Sequence, residues 1–131
     1  MDFDTDLSGC VIRAAVEVHT ELGPGLLESA YRACLVQELR RSVRRVETEV
    51  PLAIIYRGAK LECGYRLDLL VEARLIVELK AVQALAELHT AQMLTYLRLS
   101  RHPVGLLINF NVPLLKHGIR RVIRGPSSRS P

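Results

Sequence analysis

Asp68, Glu78 and Lys80 fall within one stretch, Tyr65 to Lys80, that alternates like a β-hairpin. Its odd positions Leu67, Leu69, Val71, Leu75, Val77 and Leu79 are apolar, whereas Arg66, Asp68, Glu72, Arg74, Glu78 and Lys80 occupy even ones. Period-two alternation predicts one face on a core and one face available for chemistry. With a three-residue tip of Glu72, Ala73 and Arg74, Val71 pairs with Leu75 and Asp68 falls opposite Glu78. A two-residue tip would set Asp68 against Leu79; the first register is favoured because it keeps all six apolar residues on one face. Opposed Cβ atoms are about 4.5 to 5.5 Å apart, close enough for two carboxylates to repel. Such a pair persists when a cation bridges it, when one member is protonated, or when a nearby positive charge offsets the repulsion. Lys80 supplies such a charge from the same face.

The elements around this hairpin follow from periodicity. Asp6 to Leu22 has the apolar spacing of an amphipathic helix, capped by Asp6 or Ser8, and Gly23-Pro24-Gly25 ends it. A second helix runs from about Leu26 to Arg41, with Leu27, Ala30, Tyr31, Cys34, Leu35 and Leu39 on its inner side. Val43 to Tyr56 alternates as a strand, and Arg57-Gly-Ala-Lys60 turns into the strand of Asp68, giving a three-strand meander. Ala84 to Ser100 is helical in pattern, with Leu85, Leu88, Ala91, Met93, Leu94 and Leu97 as its apolar set. Val104 to Asn109 is a short apolar run typical of a strand buried on both faces. Ile119 to Ile123 adds an edge strand. The order ααβββαβ(β) implies an α/β (α+β) domain over residues 1–124, a mixed central sheet with helices packed on it and a parallel crossover between Val77 and Leu107. By composition, residues 125–131 form a disordered tail.

At 131 residues and 49% hydrophobic, the chain suffices for one domain with a real core. No apolar run approaches the length of a membrane span, and the acidic start Met-Asp-Phe-Asp-Thr-Asp is unlike a signal peptide, which makes a cytoplasmic protein the default. Cys10, Cys34 and Cys63 have no zinc-ligand spacing and read as buried small hydrophobes in a reducing compartment. The net charge of +4 is arginine-heavy, clustered at Arg40, Arg41, Arg44 and Arg45 and at Arg120, Arg121 and Arg124. Such clusters suit phosphate contacts or serve simply as solvated faces.

Asp68 with Glu78-Leu-Lys80, on a hairpin followed by a helix and a buried strand, resembles the PD-(D/E)xK nuclease superfamily. Gly25-Leu-Leu-Glu28-Ser-Ala-Tyr31 is similar to the namesake motif of its GxxExxY branch. Further matches are Gly64-Tyr-Arg-Leu-Asp68, Val77-Glu-Leu-Lys-Ala81, Gln92-Met-Leu-Thr-Tyr96, Gly105-Leu-Leu-Ile-Asn-Phe110 and Lys116-His-Gly-Ile-Arg120. The resemblance covers about residues 8 to 123 and implies a restriction-endonuclease-like core.

It also implies that Asp68 and Glu78 ligate Mg²⁺ or Mn²⁺, that Lys80 stands beside the attacking water, and that Glu28 and Gln92 join the catalytic set. Tyr65, Arg66 and Tyr96 are candidate substrate contacts, with Arg66 alternatively balancing the acidic pair. Tyr31 is expected to pack in the core with its hydroxyl bonded, and His89 to take a surface or helix-start role rather than a catalytic one. The implied activity is phosphodiester hydrolysis, of DNA ahead of RNA. The competing reading is a non-catalytic nucleic-acid-binding or partner subunit on the same fold, and the large apolar set is compatible with a homodimer.

Overall fold

The computed structural model describes residues 3–125, so the expected tail lies almost entirely outside the described residues. Helices α1 (Phe3–Leu22) and α2 (Glu28–Leu39) precede strands β1 (Val46–Tyr56), β2 (Ala59–Val71) and β3 (Leu75–Lys80). Helix α3 (Glu87–Ser100), β4 (Val104–Asn109), a 3₁₀ turn (Leu115–Gly118) and β5 (Ile119–Ile123) complete the order. The strands lie in one sheet in sequence order, with β3 and β4 parallel and every other neighbouring pair antiparallel. This is the expected meander, parallel crossover and edge strand.

Two apolar layers hold the sheet. Val11, Ala15 and Val18 of α1 and Tyr31, Leu35 and Leu39 of α2 pack with Leu69, Val71, Val77 and Leu79 on one face. Met93, Tyr96 and Leu97 of α3 pack with Leu67, Leu70, Ile76 and Leu107 on the other. The sheet is therefore covered on both sides, and the hairpin has no wholly polar face: Leu70 and Ile76, at even positions, are buried under α3. β4 is buried along its whole length, as expected.

Several local expectations are corrected. α1 begins at Phe3, so Asp6 and Ser8 lie inside it rather than capping it, and Ser8 Oγ accepts a hydrogen bond from Arg121 Nε at 3.1 Å. Leu27, Leu88 and Leu94 are exposed instead of facing the core. Cys34 and Cys63 are exposed and Cys10 half-buried, all three as free thiols. The inner face of α2 is set by Tyr31, Leu35, Val36 and Leu39, which leaves Cys34 turned outward. No helix among the described residues is long and apolar enough to cross a membrane.

Candidate active site at a fork between two strands

The register of the central hairpin is the expected one. Leu75, Ile76 and Val77 pair with Val71, Leu70 and Leu69, around a tip in which Glu72 and Ala73 both have φ of +53°. Glu72 also ties the tip to the start of β1, its Oε1 accepting from the N–H groups of Arg44 (3.1 Å) and Arg45 (2.7 Å).

At the next step the ladder stops and the strands part. Glu78 to Lys80 continue alongside β4 only, while β2 before Leu69 continues alongside β1 only. Asp68 and Glu78 stand at the fork, and their side chains take over where backbone pairing ends. The Asp68 N–H donates to Glu78 Oε2 at 2.7 Å, and the Leu79 N–H donates to Asp68 Oδ2 at 2.9 Å.

A second irregularity coincides with the first. Leu67 packs under α3 while Leu69, two residues on, packs under α1 and α2. In β1, Val46 joins the α1/α2 layer and Val50 the α3 layer. Both strands change faces between the pairs Thr48↔Leu69 and Val50↔Leu67, at Glu49 and Asp68. Glu49 has φ of +49°, a left-handed conformation that L residues with a side chain adopt at a cost.

The electrostatics follow from this burial. Glu78 is only 6% exposed, and its pKa is pushed up from 4.5 to about 8, first by burial and then by the Asp68 carboxylate. Glu28 raises it further, whereas the hydrogen bond from the Asp68 backbone and the charge of Lys80 act in the opposite sense. Glu28 and Lys80 thus both lie within electrostatic reach of Glu78. Tyr96 is also raised, by burial first and then by Glu78, Tyr65 and Asp68. Its ring meets that of Tyr65 edge-on, 6.3 Å between centroids, which brings the expected tyrosine pair together beside the acids.

Arg32 was not anticipated. Its guanidinium places Nη1 3.5 Å from Asp68 Oδ1 and Nη2 3.6 Å from Glu49 Oε1. The ion-pair partner of Asp68 is therefore Arg32 from α2, and exposed Arg66 forms no ion pair with either acid. Gln92 is half-buried one turn before Tyr96 on α3 and makes no direct hydrogen bond to either carboxylate. His89 serves the helix start, its Nδ1 accepting from the Ala86 N–H at 2.9 Å.

Two supporting devices explain how the chain sets these groups. Tyr31 is fully buried, stacked on Phe110 at 4.4 Å, and its hydroxyl donates to Gly23 O (2.6 Å) and accepts from the Leu26 N–H (3.1 Å). Gly25 turns the loop with φ of +103°, and Glu28 opens α2 immediately after it. Asn109, buried opposite Lys80, braces the segment after β3. Its Oδ1 accepts from the Val82 N–H at 3.1 Å and its Nδ2 donates to Val82 O at 2.9 Å. The only sequence signal for that role was an amide ending an otherwise apolar strand.

The donor set fits a hard divalent cation. Each carboxylate uses one oxygen on a backbone N–H, so a cation would take the second oxygen of each, and at Asp68 it would take Oδ1 in place of Arg32, which pairs with it at 3.5 Å. Magnesium binds through one or two carboxylates and retains waters, and a positive charge here would offset the burial and the Asp68 repulsion that raise the Glu78 pKa.

A mixed sheet between helical layers, with two carboxylates at a strand fork and a lysine two residues on, is the architecture of a restriction-endonuclease-like domain. The family model of the PD-(D/E)XK nuclease superfamily matches residues 5–122, and the chain belongs to that superfamily. Comparison with curated proteins and with solved structures returned no match.

Proposed function

We propose that the protein is a magnesium- or manganese-dependent nuclease that hydrolyses phosphodiester bonds, with DNA ahead of RNA as substrate. The observation that carries the reading is the interlocked pair Asp68 and Glu78 at the fork, with Lys80 near enough to lower the cost of ionising Glu78. Accepting the two N–H groups at the fork does not itself require a second acid beside buried Glu78, since an amide side chain could accept there without the repulsion.

In this reading Asp68 and Glu78 hold the cation, which when bound lowers the pKa of water and offsets phosphate charge. Lys80 acts as a point charge on the attacking hydroxide or the crowded phosphate. Glu28 enters from the start of α2 as a third acid. Tyr65 and Tyr96 flank the acids as substrate contacts, and Gln92 and Arg66 complete the proposed set from α3 and β2. Gly25, Glu28 and Tyr31 support placement in the GxxExxY branch, since the glycine turns the loop, the tyrosine ties it and the glutamate is thereby aimed. Two exposed free thiols suit a reducing, cytoplasmic setting.

The test is incubation of purified protein with DNA and RNA in Mg²⁺ or Mn²⁺, beside Asp68→Asn and Lys80→Ala. Cleavage by the wild type alone is expected. Cleavage by none, or equally by all three, refutes the assignment, and salt-sensitive binding without cleavage favours a non-catalytic binding subunit instead.

A further inference from the structure

α2 and β1 enclose an open groove of about 340 Å³, lined by Ser29, Arg32, Ala33, Val36 and Arg40 from the helix and by Thr48 and Glu49 from the strand. The helical residues recur at spacings of three and four, so they form one continuous wall. One end of the groove is the fork itself, because Arg32 belongs to both. The other end is Arg40, the C-cap of α2, beyond which Arg41, Arg44 and Arg45 are exposed. Glu49 is the groove's one acid, and Arg32 already engages it at 3.6 Å. Ala33 is small, which keeps the wall between the two arginines low.

We infer that this groove carries the backbone of the nucleic-acid strand away from the fork, with Arg40 holding a phosphate several nucleotides from the one at Asp68 and Glu78. The inference rests on the nuclease reading and adds the path of its substrate. Arg32 and Arg40 are eight residues apart on a helix, about 12 Å. That distance spans roughly three to four nucleotides at about 3.4 Å per nucleotide along one strand. A polyanionic backbone is favoured over a peptide because exposed Arg40, with Arg41 and Arg44 beyond it, gathers positive charge at the far end of a low-walled groove whose near end, where Arg32 is paired with Glu49 and Asp68, opens onto the proposed cation site. DNA and RNA share this chemistry, and the assay separates them.

Fluorescence anisotropy with labelled duplex DNA, single-stranded DNA and single-stranded RNA, in EDTA over a salt series, tests the path. Arg40→Gln is expected to weaken binding and to reduce the slope of log K against log salt by about one. Ala33→Leu, which fills the groove at unchanged charge, is expected to weaken binding as well. Arg98→Gln, an exposed arginine on α3, is expected to bind like wild type. The path is overturned if Arg40→Gln and Ala33→Leu both match wild type, or if Arg98→Gln weakens binding as much as Arg40→Gln. Wild type that cleaves nucleic acid while Arg40→Gln binds normally sinks the path alone. Wild type that binds none of the three probes at low salt and cleaves none of them in Mg²⁺ removes the nuclease reading and the path together, whereas wild type that cleaves in Mg²⁺ but binds none of them in EDTA sinks the path alone.

Discussion

Ionising Glu78 in the metal-free protein should cost stability over a defined range of pH. Its pKa is 4.5 in the ordinary state and about 8 in the fold, raised by burial and by Asp68. Between those values the folded protein holds a proton that the unfolded chain has released, so the unfolded state binds fewer protons and stability falls as pH rises. The slope is about 1.4 kcal/mol per pH unit, and the whole window amounts to at most about 5 kcal/mol. That is a large share of the roughly 5 to 15 kcal/mol that holds a domain together. Glu78→Gln removes the titration while keeping an acceptor for the Asp68 N–H. Urea denaturation in EDTA should give similar stabilities for the two proteins near pH 5 and an advantage of several kcal/mol for Glu78→Gln by about pH 8, with no further divergence above that. A difference between them that stays constant from about pH 5 to 8 would refute the claim that burial and Asp68 keep this carboxyl protonated.

The same proton must leave before Glu78 can ligate a cation, so Mn²⁺ binding is expected to be about a hundredfold weaker near pH 6 than well above pH 8. Isothermal titration calorimetry in buffers of different ionisation enthalpy reads both the affinity and the proton release, and a pH-independent affinity counts against the site. Gly105→Ala is expected to destabilise by about 1 to 3 kcal/mol, because its Cβ would meet the buried Met93 side chain where α3 seats on β4. Shortening Met93 in the Gly105→Ala background should show non-additive coupling in urea denaturation; strict additivity would mean the two do not meet. Tyr31→Phe removes the hydroxyl that ties Gly23 to Leu26 and should cost about 1 to 3 kcal/mol, with faster proteolysis in the Gly23–Gly25 loop. Unchanged proteolysis would show that the loop is held by other contacts.

Much of this arrangement was legible in the residues. The tip at Glu72 to Arg74 and the run of odd-numbered apolar side chains sufficed for the register that sets Asp68 against Glu78, because a one-residue slip would have turned every side chain over. Val104 to Asn109 read as a buried strand because nothing polar interrupts it before Asn109. What stayed hidden depends on packing between elements distant in sequence. Leu70 and Ile76 lie on the face that alternation assigns to polar residues, and it is α3 that buries them. Arg32 is one arginine among many in the chain, and only the crossing of α2 over the β1–β2 pair brings it to Asp68. Cys34 carried the apolar character of a core residue but lies outside the narrow stripe that α2 buries.

The change of face at Glu49 and Asp68 links these hidden features. Had β1 and β2 kept regular alternation, Leu67 would have faced the same layer as Leu69, and the outer part of the pair would have stayed beneath α1 and α2. By inverting there, the two strands pass Leu52 and Leu67 to the α3 layer and draw away from β3, which keeps to β4. The left-handed Glu49 is the local cost of that departure, and its side chain meets Arg32 on the side from which Asp68 is reached. Fork, inversion and ion pair are thus one construction. A regular sheet at this point would have satisfied the Asp68 and Leu79 N–H groups through backbone carbonyls, whereas the parted one needs the two carboxylates as acceptors and holds the second oxygen of Asp68 on Arg32, the contact a cation would replace.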